Sequence, residues 1–431
     1  MDCCGFKPCG FIELCTSPED LEYNRRVAAF NRFMGVDVRE ISPEEVTELF
    51  PLVDVIPSER NQQTGILAGF YIPTDGRVNP YDTAMALAKA GKKKYGVEIR
   101  ENCPVMGITT TNDAFKQPKV SGVTLADGTH IEAKRAVINC AGMWARQLGQ
   151  SCGIHSIPNQ AAEHYYLITE PMPNVDPNWP VVEDTSRYTY IRPEGGGLMV
   201  GLFEGEGAPW NIRSIPEDFS FGQITPDWER MTPYLERAMS VVPATLDVGA
   251  KHFFCGPESF TPDNAPIIGP APELRNYYVA AGLNSIGILS GGGVGRLVAE
   301  WVDQDGISPK KWDVTGIHIN RFHKYQSNPK YRTDRVRETL ANVYKLHFPD
   351  FSPATCRNIK RSPLHELIKK RQNPFFRDVS GWESPAWYAP QSCEEALRKP
   401  NAQSFGREHW FQYWKAEHEA CRNNVALFDM R

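Results

Sequence analysis

The stretch between residues 277 and 302 limits the possible folds of this chain more than any other. It begins with Tyr278-Val279-Ala280-Ala281, an apolar run typical of a buried strand, and a helix is expected near Ser290. Closely spaced glycines separate the two, and each glycine costs more chain entropy on folding than an alanine. We therefore expect the main chain here to approach a large flat ligand, aided by the positive end of the helix dipole. A tight contact between helix and strand is the alternative interpretation.

A second run of small residues follows an earlier apolar strand. Val137-Ile138-Asn139 leads into Cys140-Ala141-Gly142, and a helix is expected to begin near Trp144. A turn of small residues lets a nucleotide come close to main-chain N–H groups. A plain strand-to-helix junction remains the alternative.

A third segment, residues 256–269, contains Thr261-Pro262-Asp263 and by itself indicates a rigid loop with no chemistry.

The order of these segments is more informative than any one of them. A small-residue turn, a β-rich stretch, the Thr-Pro-Asp loop and the strand–glycine loop–helix together resemble the D-amino-acid-oxidase-like flavoproteins. More narrowly, the chain is similar to the sarcosine and dimethylglycine dehydrogenase family, to which the pyruvate dehydrogenase phosphatase regulatory subunit is related. The segments that carry the resemblance are Asn102-Cys103-Pro104-Val105, residues 255–263, Ala271-Pro272-Glu273-Leu274-Arg275 and Ile319-Asn320-Arg321-Phe322-His323.

The resemblance implies a mixed α/β fold with a β-sheet substrate domain. Residues 1–320 correspond to the FAD-dependent oxidoreductase domain, 321–376 to the central domain, and 377–431 to the start of an aminomethyltransferase folate-binding module. The last assignment rests on Gly381-Trp382-Glu383-Ser384-Pro385 and Ala426-Leu427-Phe428-Asp429-Met430. No G-x-G-x-x-G occurs, and no histidine has the context of the flavin-linking one. The chain is therefore expected to lack the N-terminal dinucleotide-binding βαβ unit and to begin inside the flavin domain.

The same resemblance implies oxidative N-demethylation of sarcosine to glycine. Electrons would pass to electron-transfer flavoprotein and one carbon to tetrahydrofolate or formaldehyde, in the mitochondrial matrix. Two alternatives stay open: dimethylglycine as the substrate, and a non-catalytic regulator like the phosphatase regulatory subunit. The implied FAD contacts are Val105, Cys140, Ala141, Gly142, Trp144, Gly282, Asn284, Ser285, Ile286, Gly287, Gly291, Gly292 and Gly293.

The substrate site is expected on a strand of the β-rich region. Tyr188, Tyr190 and Arg192 alternate and would share one face, so Tyr190 and Arg192 are candidate catalytic or binding residues. The guanidinium of Arg192 would pair with a substrate carboxylate, and a solvated strand face is the alternative. His164 precedes a strand and is interpreted as structural.

Charge and hydropathy exclude several other classes of protein. Lys and Arg number 47 against 52 for Asp and Glu, so nucleic acid and anionic membranes are not expected partners. No apolar run approaches the ~18 residues of a transmembrane helix. The spacing Cys4, Cys9, Cys15 fits no zinc site, and no metal is expected.

Overall fold

The computed structural model describes residues 4–307, 311–349, 351–390 and 404–426. The chain divides into two compact units, Met1–Lys345 and Leu346–Arg431. The strands of the first unit are β1 (Phe11–Cys15), β2 (Arg39–Ile41), β3 (Ala68–Ile72), β4 (Val105–Asn112), β5 (Pro118–Leu125), β6 (His130–Glu132), β7 (Val137–Asn139), β8 (Gln160–Thr169), β9 (Val181–Asp184), β10 (Thr189–Glu194), β11 (Gly197–Leu202), β12 (Ala250–Phe260), β13 (Ile267–Pro270) and β14 (Tyr277–Ala281). Its helices are α1 (Pro18–Phe33), α2 (Pro43–Leu49), α3 (Pro80–Tyr95), α4 (Ala145–Gln150), α5 (Trp228–Met239), α6 (Gly287–Asp303) and α7 (Pro329–Ala341).

An eight-stranded sheet forms the centre of the first unit, in the order β12-β8-β11-β10-β9-β1-β3-β2. Side chains alternate between its two faces. One face carries Leu14, Ile191 and Val200, which pack with Leu235 of α5 in the largest apolar core. The other face carries polar and aromatic side chains, so this sheet has one dry face and one face available for a site.

Helix starts in this unit follow local sequence signals. Ser17 caps α1 and Ser42 caps α2, each with a reciprocal capping box, and Asn79 caps α3. Each capping side chain accepts a hydrogen bond from one of the first N–H groups, which have no partner within the helix. From the sequence, Ser17-Pro18-Glu19-Asp20, Ser42-Pro43-Glu44-Glu45 and Asn79-Pro80-Tyr81-Asp82 each predict a helix start, and the structure confirms all three.

A second, three-stranded sheet has the order β13-β14-β7. Strand β14 pairs antiparallel with β13 and parallel with β7. The C-terminal half of α6 packs on it through Leu297 and Trp301. The expectation that β7 is buried was wrong for Ile138, which is 44% exposed because the side chain points away from the packed face of this short edge strand.

A meander of β4, β5 and β6 completes the first unit. Its second turn contains Gly128 at φ 84°, as expected for the Asp127-Gly128 pair. The alternation of Val97-Glu98-Ile99 predicts a strand from sequence, and this prediction is wrong, because these residues are exposed and pair with no neighbouring strand among the described residues. Alternation alone does not make a strand when no edge is available for pairing.

Among its described residues, the second unit contains a small sheet and two helices. Strands β15 (Lys360–Arg361), β16 (Pro374–Val379) and β17 (Trp382–Tyr388) have the order β15-β17-β16, with helices α8 (His365–Gln372) and α9 (Phe411–Asn423). The first unit extends past residue 320, because Val336 and Leu340 of α7 pack against Phe260. The assigned domain limits remain a prediction, and Leu427 to Met430 lie outside the described residues.

In the described parts of the chain, no helix combines the length and the apolar character needed to cross a membrane.

Candidate functional site

A cavity of about 670 Å³ opens on the polar face of the eight-stranded sheet. Strands β8, β10 and β12 contribute its floor, and a loop between β11 and α5 lies across it. The lining residues are Met143, Trp144, His164, Tyr165, Tyr166, Tyr190, Phe219, Ser220, Phe221, Gly222, Phe254, Gly256, Pro257 and Glu258. Aromatic rings predominate, and within this set only His164 and Glu258 have side chains that can carry charge near neutral pH.

Two glycines on the floor make room for aromatic rings. A Cβ at Gly201 would lie 2.0 Å from the ring of Tyr190, its partner on the adjacent strand. A Cβ at Gly256 would lie 2.7 Å from the ring of Phe254. Phe254 in turn stacks on Tyr166, with ring centroids 4.6 Å apart and planes 14° apart. The glycines therefore let these rings lie flat along the sheet and shape the cavity floor.

His164, Glu258 and Ser285 form a hydrogen-bonded cluster at the cavity wall. His164 is in register with Gly256, so Glu258 is its diagonal neighbour on the same face. Nδ1 of His164 is hydrogen-bonded to Oε2 of Glu258. The Ser285 hydroxyl donates to the same carboxylate oxygen at 2.7 Å and lies 3.2 Å from Nδ1 of His164. The sheet and the glycine-rich loop therefore meet at this cluster.

The electrostatics of the cluster favour an ion pair. Burial by itself lowers the pKa of His164, but the hydrogen bond and charge of Glu258, with the charge of Glu204, raise it above its ordinary value. Burial likewise raises the pKa of Glu258, but the charge and hydrogen bond of His164 and the hydroxyl of Ser285 bring it below its ordinary value. Both shifts favour an imidazolium and a carboxylate at neutral pH.

The loop before α6 has a backbone that presents Ser285 to the cluster. Asn284 and Ser285 have φ values of 50° and 67°, in the left-handed region that few residues other than glycine adopt. Asn284 stabilises this bend, because its amide donates to the Gly282 carbonyl at 2.7 Å and its oxygen accepts from the Thr261 N–H at 2.8 Å. The Thr-Pro-Asp segment, interpreted from sequence as a loop without chemistry, therefore helps to fix this bend.

The start of α6 has the features of a cradle for a flat, electron-rich group. A Cβ added at Gly291, Gly292 or Gly293 would meet no atom within 4 Å. The N-cap residue Ile286 supplies no side-chain hydrogen bond, so the first N–H groups of this helix lack a side-chain cap. Gly142 has φ 52° and is equally open. Close helix–strand packing therefore does not explain these glycines. They leave the backbone open to a flat ligand, and in this respect the residues present fit FAD.

The remaining expected cofactor residues differ in surroundings. A Cβ at Gly282 would lie 2.5 Å from Thr261, and its φ is 64°, so internal packing requires this glycine. At Gly287 the nearest atom, from Leu283, would be 3.4 Å away. Cys140 is exposed, and Val105 at the start of β4 is 39% exposed. Trp144 is 37% exposed and lines the cavity, whereas Ala141 is half-buried in the turn.

The residues expected to bind the substrate do not all line the cavity. Tyr190 lines the cavity, but Arg192 is outside the lining and pairs with Glu194. The expectation that Tyr188 shares their strand face was wrong, because strand β10 begins at Thr189 and Tyr188 has a left-handed φ of 54°. That backbone state breaks the alternation of side chains.

Sequence reasoning missed part of the site. His164, interpreted as structural, and Glu258, placed in a loop, are brought together by the pairing of β8 with β12. Phe219 and Phe254 were also missed. Residues 250–260 form an 11-residue strand that includes Gly256 and Pro257, and because both residue types are depleted in strands, the sequence offers no clear signal for it.

Comparison with known protein families defines the class. Residues 1–301 match the family described as FAD dependent oxidoreductase, and residues 310–362 match the FAD dependent oxidoreductase central domain. The chain therefore belongs to the FAD dependent oxidoreductase family. Within that class it is similar to mitochondrial sarcosine dehydrogenase of Homo sapiens, with 33% identity over 98% of this chain and 46% of the human protein.

Other relatives differ in their described activities. A 4-methylaminobutanoate oxidase (formaldehyde-forming) of Paenarthrobacter nicotinovorans is 33% identical over 99% of this chain and 48% of that protein. The mitochondrial pyruvate dehydrogenase phosphatase regulatory subunit of Mus musculus is 31% identical over 99% of this chain and 46% of that protein. The chain thus spans about half the length of these relatives.

Among solved structures, the fold resembles L-proline dehydrogenase from P. horikoshii. The TM-score is 0.58 and the sequence identity is 25%, covering 77% of this chain and 78% of that one.

Proposed function

We propose that the protein containing this chain oxidises a small N-methylated amino acid, with sarcosine as the first candidate, in an FAD-dependent reaction. The observation that carries the proposal is the aromatic cavity with a charged His164–Glu258 pair, joined through Ser285 to the open glycine-rich start of α6. Family membership supplies the cofactor, and the similarity to relatives that act on methylated amines supplies the substrate class.

The cavity walls suit a methylated amine. The faces of aromatic rings attract cations, so Tyr166, Tyr190 and Phe254 favour a secondary ammonium group over a neutral one. The Glu258 carboxylate adds a negative charge close by. A methylated ammonium ion therefore gains both ring contacts and charge complementarity in this cavity.

The His164–Glu258 pair is the group that can exchange a proton with the substrate. An amine gives up a hydride equivalent from its N-methyl carbon most readily as the free base, so its ammonium proton has to leave first. Within the lining set only these two side chains are ionised at neutral pH, His164 as the imidazolium and Glu258 as the carboxylate, so the Glu258 carboxylate is the available proton acceptor. Ser285, whose hydroxyl donates to Glu258, orients the carboxylate toward His164.

The chain's residues for the cofactor are the open glycines 291–293, Gly142 and the uncapped start of α6. When bound, FAD accepts the hydride equivalent taken from the substrate carbon. We further propose electron-transfer flavoprotein as the acceptor of the electrons, and formaldehyde or tetrahydrofolate as the fate of the methyl carbon. The family resemblance supports these assignments, and the mitochondrial names of several relatives support a matrix location.

The test is flavin binding followed by turnover. We expect the purified protein to acquire flavin absorbance with FAD and sarcosine to bleach it anaerobically, with formaldehyde or a one-carbon folate as product. Absence of bleaching by every methylated amine tested would refute the proposal.

Two alternatives have their own outcomes in the same experiment. Dimethylglycine differs from sarcosine by one methyl group, worth about 1–3 kcal/mol of discrimination, so relative kcat/KM values decide between them. The similarity to the phosphatase regulatory subunit favours a regulator as the second candidate. Flavin binding without reduction by any amine, together with a measured effect on a protein phosphatase, would favour that function.

A further inference from the structure

One wall of the cavity is built differently from the floor. The loop between β11 and α5 crosses the cavity, and Phe219, Ser220, Phe221 and Gly222 line it from that side. We refer to residues 216–223 as the arch. The floor residues belong to hydrogen-bonded strands, whereas the arch is part of a loop. The two walls therefore differ in their capacity to adapt to a ligand.

Side chains on two helices, α4 and α7, hold the first end of the arch. The Gln147 amide forms a double hydrogen bond with the main chain of Ile215, at 3.1 and 3.3 Å. Arg146 donates to the Arg213 carbonyl at 3.3 Å, and Arg332 of α7 donates to the Ile212 carbonyl at 3.0 Å. The segment leading into the arch is therefore fixed to α4 and α7.

The two arginines of this attachment are buried, at 6% and 1% exposure. In the described part of the chain, the hydrogen bonds of Arg146 and Arg332 go to carbonyl and amide oxygens and not to carboxylates. Arg146 Nε is already buried without a partner, and breaking these hydrogen bonds would leave further buried guanidinium donors unsatisfied, which is costly. The far end of the arch is also anchored, since the Ile224 N–H donates to the Cys255 carbonyl of β12 at 2.9 Å.

Between these two ends the arch is held by packing contacts of aromatic rings. Its described main-chain hydrogen bond is a local turn, from the Phe219 N–H to the Pro216 carbonyl at 3.2 Å. The ring of Phe219 packs on Trp210 with centroids 4.8 Å apart. A Cβ at Gly222 would lie 2.6 Å from the Phe219 ring, so glycine is needed there for the ring to fold under the arch.

The support under this ring is itself fixed. The main-chain N–H of Trp210 donates to the Ala161 carbonyl, and the Trp210 carbonyl accepts from the Gln160 amide, both at 2.7 Å. Phe219 therefore stands between the cavity and a tryptophan whose main-chain N–H and carbonyl are both hydrogen-bonded.

We infer that Phe219 is the specificity-determining residue of this cavity and limits the size of the N-substituent that a substrate can carry. Its ring occupies space between Trp210 and the cavity, on a segment without ladder hydrogen bonds, while the opposite wall is a sheet. This inference rests on the proposed function, because it assumes that an N-substituted amino acid occupies the cavity.

The experiment compares a small and a large N-substituted glycine, sarcosine and N-benzylglycine. For Phe219→Ala we expect the ratio of kcat/KM values, N-benzylglycine over sarcosine, to rise by about tenfold or more, the range that missing methylenes produce in apolar pockets. For Phe219→Trp we expect the ratio to fall, since the larger ring takes up more of the cavity. A general folding defect would lower both rates together and leave the ratio unchanged.

The matched control is Phe33→Ala, the same change at a ring that is 84% exposed on α1, and its ratio should equal that of the unaltered protein. Dissociation constants of both compounds, measured by calorimetry on the same proteins, distinguish a failure of the proposed function from a failure of the inference about Phe219. Absence of turnover would refute the proposed function, and the ratio of Kd values would still test Phe219. A ratio unchanged within about twofold in both Phe219 variants would overturn the inference.

Discussion

Individual side chains in the cavity are positioned by nearby residues of the sheet, on the same strand or on the next one. Tyr190 lies over Gly201, and Phe254 lies over Gly256, so in both cases a missing side chain determines where a ring rests. His164 acquires its charge partner two residues further along the paired strand. The placement of Tyr190 and the charge of His164 therefore depend on residues of a neighbouring strand.

The His164–Glu258 pair gives a prediction at this scale. In Glu258→Gln the imidazole loses the hydrogen-bonded charge that raises its pKa, while burial continues to lower it. We therefore expect the pKa of His164 to fall and kcat/KM for the amine to drop on the order of 100-fold, a usual effect of disabling an acid–base group. Nuclear magnetic resonance titration of the imidazole and steady-state kinetics measure the two effects.

The control for this substitution is Glu206→Gln, which removes a carboxylate from a solvent-exposed pair with Arg337. Exposed pairs contribute about 0–1 kcal/mol, so neither readout should change. An unaltered His164 titration in Glu258→Gln would contradict the assignment of the ion pair.

Among the elements, α6 has two halves with different surroundings. Leu297, Val298 and Trp301 pack into an apolar cluster with the second sheet. The glycines of the N-terminal half face open space, and Ile288 and Leu289 beside them are 54% and 79% exposed. Packing therefore accounts for the second half of this helix but not for the first.

The glycines of α6 and its loop can be separated by substitution. Gly292→Ala should raise the free energy of unfolding by about 0.5–1 kcal/mol through helix propensity, yet weaken FAD binding by filling the cradle. Gly282→Ala should lower the free energy of unfolding by about 1–3 kcal/mol, because the residue has a positive φ and its Cβ would overlap Thr261. Urea unfolding and flavin titration measure these effects. An unchanged flavin affinity in Gly292→Ala would contradict the assignment of this part of α6 to FAD binding.

The pairing of β1 with β9 gives a pH-dependent prediction. Glu13 and Glu183 are register partners on these strands. Burial, with the charges of Asp184 and Asp20, raises the pKa of Glu13 to about 7, and burial with the charge of Glu13 raises that of Glu183 well above its ordinary value. The folded protein therefore binds more protons than the unfolded chain between pH 4.5 and about 7.

The free energy of unfolding should consequently fall as the pH rises through that window. Its slope with pH has the sign of the number of protons bound by the unfolded chain minus the number bound by the folded protein, and this difference is negative here. Glu13→Gln should reduce this loss by about 1–3 kcal/mol. Urea unfolding at pH 5 and pH 8 measures the difference. The exposed Glu132→Gln is the control, and an equal pH dependence in Glu13→Gln and the unaltered protein would exclude Glu13 as the source.

For the whole molecule, the division into two compact units is the main architectural feature. The first contains the cavity, the cluster and the open start of α6. The second has its own sheet and an apolar cluster around Trp387. In the second unit Glu383 accepts hydrogen bonds from Arg357 at 2.9 and 2.5 Å and from the Asn358 N–H at 2.6 Å.

The buried Glu383 tests the independence of the units. Glu383→Gln removes the carboxylate that pairs with Arg357, and breaking a buried pair costs about 3–5 kcal/mol. We expect faster hydrogen exchange in residues 351–390 and unchanged exchange in β8 and β12. Loss of protection in both units at once would indicate a single cooperative structure.

Much of the fold was accessible from local patterns. The caps at Ser17, Ser42 and Asn79 were predicted because a cap satisfies N–H groups a few residues away. The strand-to-helix order around residues 277–302 was predicted for the same reason, since hydrophobic period and glycine content are local properties. Tyr188 was misplaced because nothing in the sequence specifies a left-handed φ at a tyrosine.

The sequence by itself determined the family, the positions of most helices and strands, and the glycines that stand open at α6. Only the tertiary structure decided that His164 meets Glu258, that Tyr190 but not Arg192 lines the cavity, and that Phe219 lines it from a distant loop. The physical reason is that strand register and loop attachment depend on contacts between residues far apart along the chain, and such contacts leave no periodic signal in either partner.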